Sequence, residues 1–163
     1  MKKSKKQNII IVAIVVIIIG AIAGYNYSVE QTKQKGLKFG NELQQIQEEV
    51  KQLQTEFNSK ITQWEEGDLS QQELSEYSKN HVEKMQNVIL KYDELIPPKQ
   101  FASSVELFKL STQAQLDSDK EFIEWVKTSD DSHNIRSDSL LQESFEYEMM
   151  ALGEFNAAKS GLR

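Results

Sequence analysis

The stretch Phe39–Phe57 reads FGNELQQIQEEVKQLQTEF, and its apolar residues are Phe39, Leu43, Ile46, Val50, Leu53 and Phe57. Steps of four and three in alternation put all six on one side of an α-helix, the seam along which helices interlock. The next apolar steps, Ile61 and Trp64, insert an extra four that relaxes the supercoil locally. This helix is expected to end at Gly67.

Just beyond it, Gly67–Leu74 (GDLSQQEL) carries a strong start signal. Ser70 is placed to cap the N–H of Glu73 while Glu73 reaches back to Ser70, with Leu69 and Leu74 as the two ends of a hydrophobic staple. So short a connection implies a second helix folded back on the first. Its stripe is Leu74, Tyr77, His81, Met85, Val88, Tyr92 and Leu95, flanked by Val82, Ile89 and Ile96. Pro97-Pro98 should stop it. A third helix follows with Phe101, Val105, Phe108, Leu116, Phe122, Ile123 and Val126. Thr112, Gln115 and Asp119 fall on or near that stripe and give it a polar middle. Residues 128–138 (TSDDSHNIRSD) read as a loop by composition. A fourth helix is expected from Ser139, with Gln142 in capping-box spacing, turning Leu141, Phe145, Met149, Leu152 and Phe155 inward and ending near Ser160-Gly161. The fold class is therefore all-α, an up-down-up-down four-helix bundle with a long first helix.

Upstream, Ile9–Tyr25 (IIIVAIVVIIIGAIAGY) is continuously apolar and follows Lys2, Lys3, Lys5 and Lys6. About 17–25 apolar residues cross a bilayer core, and short basic flanks stay in the cytoplasm. A single-pass signal anchor contacting the lipid bilayer is the preferred reading, with Tyr25 and Tyr27 at the outer interface. The alternative is export after signal-peptide cleavage, because Ala21-Ile22-Ala23 has the small-x-small form of a cleavage site. The expected organisation is a basic cytoplasmic tail (1–7), a transmembrane anchor (8–27), a glycine-bearing stalk (28–40) and an extracytoplasmic bundle (41–163). The first helix should outreach the second by roughly 18 Å, lifting the bundle clear of the membrane.

Setting aside the four N-terminal lysines leaves 15 basic against 25 acidic residues, a net of −10. Such a surface repels phosphate backbones, so nucleic-acid binding is not expected. The chain has no cysteine, so packing alone must stabilise an exported domain.

Candidate chemistry is sparse. His81 sits on an apolar stripe and reads as a structural histidine, since His133 is the only other histidine and lies far along the chain. Asp117, Glu121 and Glu124 share a helix face that resembles a hard-cation site but reads better as solvated surface. Asp130, Asp131 and His133 lack the glycine and spacing of a calcium loop. Met85, Met149 and Met150 read as core filler. No catalytic triad, phosphate loop or metal motif is present, so neither an enzyme nor a cofactor is expected. Trp64 and Trp125 both fall late in outward-running helices. They are expected to pack together at the distal end, or else one of them anchors a partner.

The segments QFASSVELFKLSTQAQLDSDKEFIEWVKT and SLLQESFEYEMMALGEFNAAKSG resemble the C-terminal half of small membrane-anchored helical proteins of ammonia-oxidising archaea. The Ile/Val/Gly-rich anchor and the FGNELQQIQEEVKQLQ helix are similar in kind. The resemblance implies an archaeal cell membrane with the bundle facing the space beneath an outer protein layer, and it carries over no functional residues. Two functions then compete. One is a membrane-anchored interaction or scaffold module, self-associating or serving as an accessory subunit of a membrane complex. The other is a solute-binding or sensory bundle with its ligand at Thr112, Gln115 and Asp119.

Overall fold

The computed structural model describes residues 33–161, with side chains from Lys38 onward. The expected anchor at Ile9–Tyr25, the basic tail and the first part of the stalk lie outside the described residues. Among the described residues no helix is long and apolar enough to cross a membrane. Four helices and no strand are present there: α1 (Lys33–Glu66), α2 (Gln71–Glu94), α3 (Ala102–Thr128) and α4 (Asp131–Ser160). A single 3₁₀ turn, Lys99–Phe101, joins α2 to α3.

The heptad seam of α1 is the core face. Phe39, Leu43, Ile46, Val50, Leu53 and Phe57 are all buried. The helix runs through Gly36 and Gly40 without a break, and Phe39 belongs to the main core cluster. A bundle boundary at residue 41 therefore falls too late, because Phe39 packs its ring 5.6 Å from that of Phe101. Phe101 in turn lies 5.0 Å from Phe155, so three aromatic rings tie α1, the 3₁₀ turn and α4 together at one end. Burial by tertiary partners outweighs the weak helix propensity of the two glycines.

The α1–α2 turn follows the capping box. Gly67 adopts φ +84°, where a side chain would be strained, and α1 ends just before it. The Ser70 hydroxyl accepts from the Glu73 N–H at 3.3 Å, and the Glu73 carboxylate accepts from the Ser70 N–H at 2.9 Å. That hydrogen bonding holds the Glu73 carboxyl below the usual range. Ser70→Ala should lower the melting temperature by roughly 2–4 °C in a thermal melt followed by circular dichroism. At the far end α2 stops at Glu94, before Pro97-Pro98, and Pro98 leads into the 3₁₀ turn.

The connection between α3 and α4 departs from the sequence expectation. It comprises only Ser129 and Asp130, and α4 starts at Asp131 rather than Ser139. Ser129 takes a left-handed backbone at φ 58°, and the Asp130 side chain caps α4 by accepting from the Ser132 N–H at 2.9 Å. The segment 131–138 is polar because most of it faces solvent, while Ser137 is buried against α3. Met149 also departs from expectation: it is 60% exposed, and Glu148 takes the inward position in its place.

α3 and α4 form the closest pair in the bundle. The cause is a ladder of small residues seven apart, Ser104, Ser111 and Ser118 on α3 facing Ala151, Ser144 and Ser137 on α4. Ser118 Oγ donates to the Ser137 carbonyl at 2.8 Å, and Ser137 Oγ donates back to the Ser118 carbonyl at 2.9 Å. Ser111 and Ser144 repeat the exchange at 3.0 and 2.9 Å. α1 and α4 approach each other much less closely than α3 and α4 do.

Candidate functional site

A band of polar side chains crosses the apolar core at mid-height, supplied by all four helices. The chain Gln47–Tyr92–Thr112 crosses from α1 through α2 to α3. Gln47 Nε2 donates to the Tyr92 hydroxyl at 2.7 Å, Tyr92 lies 3.0 Å from Thr112 Oγ1, and Thr112 donates to the Phe108 carbonyl at 3.0 Å. Because the Thr112 hydrogen is spent on that carbonyl, the direction of the chain is fixed and Tyr92 donates to Thr112. Burial drives the Tyr92 hydroxyl far above its ordinary pKa, and the nearby Glu148 adds to the effect.

Two turns further on, Asp119 is the hub. Gln54 Nε2 donates to its Oδ2 at 2.7 Å and Gln115 Nε2 to its Oδ1 at 3.1 Å. His81 Nε2 lies 2.9 Å from Oδ2, with the imidazole stacked on Phe57 at a centroid distance of 4.2 Å. With Nε2 turned to Asp119, His81 Nδ1 is buried without a partner, as is Gln54 Oε1. His81 is thus a core histidine, oriented by one carboxylate and one aromatic face.

The sequence-derived layer Thr112, Gln115 and Asp119 is brought together as expected, all three buried. Asp119 itself takes three protein partners, Gln54 and His81 at Oδ2 and Gln115 at Oδ1, which fills both sites of Oδ2 and one of the two at Oδ1. The α1 contribution, Gln47 and Gln54, was missed because both flank the heptad seam and read as ordinary coiled-coil polar residues. Glu148 was missed as well. Its signal was present, since it stands seven residues after Leu141 and four before Leu152, on the stripe assigned to Met149. Its side chain lies at the α1–α4 opening with nothing cationic beside it, and desolvation pushes its carboxyl up to about 8.

Beside Glu148 is a cavity of about 30 Å³, lined by residues of α1, α3 and α4 that include Gln54, Ser111, Thr112, Gln115 and Ser144. A water molecule needs roughly 10–15 Å³ on this measure, whereas organic ligands occupy roughly 300–1,000 Å³. The space suits one or two waters or a small ion.

The remaining candidates do not converge. Asp117 pairs with Lys120 at 2.9 Å, and Glu124 with Lys127 at 2.7 Å. Glu121 takes His133 at 2.6 Å and Arg136 at 3.2 Å, which ties the start of α4 to α3. Asp130 is a helix cap, and His133 lies in the first turns of α4, not in a loop. Trp64 and Trp125 meet edge to face at 6.0 Å, with Phe122 5.4 Å from Trp125 and 6.4 Å from Trp64. They cap the end of the bundle where α1 and α3 finish. No family model, curated protein or solved structure matches this chain.

Proposed function

We propose that this chain is a membrane-tethered helical interaction module, whose extracytoplasmic bundle binds a protein partner through the outer face of the α3–α4 pair. One observation carries the reading: Leu110 and Met150 are 37% and 56% exposed on the side of that pair facing away from the core. Helical spacing from the Ser111 and Ser144 seam puts Leu110 on that side of α3, and Tyr147 and Met150 on the matching side of α4. Tyr147 is half-buried and extends the exposed pair into an apolar strip, while Leu107 beneath it packs against the core. Glu106, Glu143, Glu146 and Glu154 are exposed around it. Glu143 accepts from the Tyr147 hydroxyl and raises its pKa, so the phenol is held in place and neutral.

An apolar strip with an acidic rim fits a partner whose apolar side chains are ringed by lysine or arginine. The net of −10 outside the expected anchor argues against a second copy of the same chain. The expected anchor would bring the strip to partners in the same membrane, which raises their effective concentration. The solute-binding alternative has weaker support, because the space at the polar layer is about a tenth of what an organic ligand fills. No catalytic role is proposed.

The test is gentle detergent extraction of the tagged full-length chain from its native membrane. A partner chain should co-purify at fixed stoichiometry, with binding that weakens as salt rises. Leu110→Glu with Met150→Glu should release it, while the melting temperature stays within about 1–2 °C because both side chains are solvent-facing. Retention of the same partner by that variant would refute this face as the contact.

A further inference from the structure

We propose that the cavity between α1 and α4 is a binding site for a monovalent metal cation, of sodium or potassium size, held by Glu148 and neutral oxygens. The chemistry of the lining points there. Each nearby hydroxyl has committed its hydrogen elsewhere: Ser111 to the Ser144 carbonyl, Ser144 to the Ser111 carbonyl, and Thr112 to the Phe108 carbonyl. Their lone pairs are what remains for the cavity. The Gln54 amide nitrogen is spent on Asp119 and on the Met85 sulfur, while its Oε1 is buried with no partner. That orientation is set by chemistry, since the reverse placement would point an amide oxygen at the Asp119 carboxylate. Gln54 is 3% exposed and Glu148 8%.

The site thus offers carboxylate, amide and hydroxyl oxygens, and no lysine, arginine or histidine lines it. Hard oxygens suit an alkali or alkaline-earth ion rather than a soft metal. Charge then chooses between them. A single carboxylate balances one positive charge, whereas calcium takes six to eight oxygens and usually several carboxylates. The volume of about 30 Å³ holds a bare or singly hydrated ion.

The rival occupant is the proton. Tyr92 on α2 is the one titratable group facing Glu148 whose charge would matter, and it stays neutral. α1 presents Gln47 and Gln54, and α3 presents hydroxyls and Gln115, with Asp119 and His81 lying behind Gln54. A protonated Glu148 has a donor hydrogen, so acid conditions relieve the burial without any ion. The folded-state value lies above that of an unfolded glutamate. The contribution of Glu148 to stability is therefore full below about pH 4.5 and is lost as the pH rises to about 8. Cation and proton compete for one carboxylate, so the ion should bind best at alkaline pH.

The experiment is a thermal melt of the full-length chain in detergent at about pH 9, above the folded-state value of Glu148. The salts are sodium, potassium and tetramethylammonium chloride at equal ionic strength, with a separate arm of millimolar calcium. Sodium or potassium should raise the melting temperature saturably, by roughly 5–10 °C at a hundredfold excess over Kd. Tetramethylammonium is too large to enter and should give no rise. The gain should shrink at about pH 5, where the proton wins, and vanish in Glu148→Gln, which keeps shape and loses charge. Should that variant fold poorly, broadening of the sodium-23 resonance by the unaltered chain, reversed by potassium, gives a second readout. Identical melts in all three chlorides, with stability following pH alone, would leave the proton as the only occupant and overturn the proposal. A calcium-specific rise that survives Glu148→Gln would overturn it too.

Discussion

Asp119→Ala is expected to destabilise the bundle by roughly 3–5 kcal/mol, the range for removing one member of a buried charged or hydrogen-bonded set. The size follows from what is left behind. Asp119 accepts from Gln54, Gln115 and His81, all of them buried, and alanine would leave each of those donors facing a hole. His81 would suffer most, since its other ring nitrogen already lacks a partner and Phe57 pins the ring from one side. Urea denaturation of the full-length chain in detergent measures the effect as a fall in midpoint at constant slope. Pairing the change with His81→Leu should recover part of the loss, because two absent partners cost less than one orphan. A loss below about 1 kcal/mol in the single variant would mean that water enters the layer freely and the network is not a core element.

The second large effect is expected from Phe39→Ala, at roughly 3–5 kcal/mol for a buried phenylalanine. Phe39 is 1% exposed and stands at the end of the Phe39–Phe101–Phe155 aromatic series. Removing it would open a cavity where α1, the 3₁₀ turn and α4 meet. The same reasoning predicts that a chain beginning at Asn41 is less stable than one beginning at Lys33. Equal urea midpoints for Phe39→Ala and the unaltered chain would show that the core begins only at Leu43.

The helices themselves were legible because each carries its own local code. Six residues of α1 in four-three spacing, the Ser70–Glu73 box, and Pro97-Pro98 act within a few residues of themselves, and the structure places them as read. The start of α4 was not legible by composition. A polar run such as TSDDSHNIRSD looks the same in a loop and on the wet side of a helix, and only the Glu121 partners and the buried Ser137 decide for helix. The Ser104–Ser111–Ser118 and Ser137–Ser144–Ala151 spacings were present in the sequence but go unnoticed by a reading that counts apolar residues alone.

What the sequence by itself determined is the all-helical class, the order of the helices and their apolar faces, since hydrophobic periodicity and capping are near-neighbour properties. Tertiary structure alone decided which polar residues meet. Gln54 and Asp119 are 65 residues apart, and His81 and Asp119 are 38 apart, so no local pattern can pair them. It also decided the uneven spacing of the bundle. Small residues draw α3 and α4 together, α1 and α4 stay apart, and the gap that results encloses Glu148 among uncharged oxygens. A glutamate on a helix stripe becomes a chemically distinct site only when neighbouring helices, here α1 and α3, withdraw it from water, and that withdrawal is a property of the packed whole.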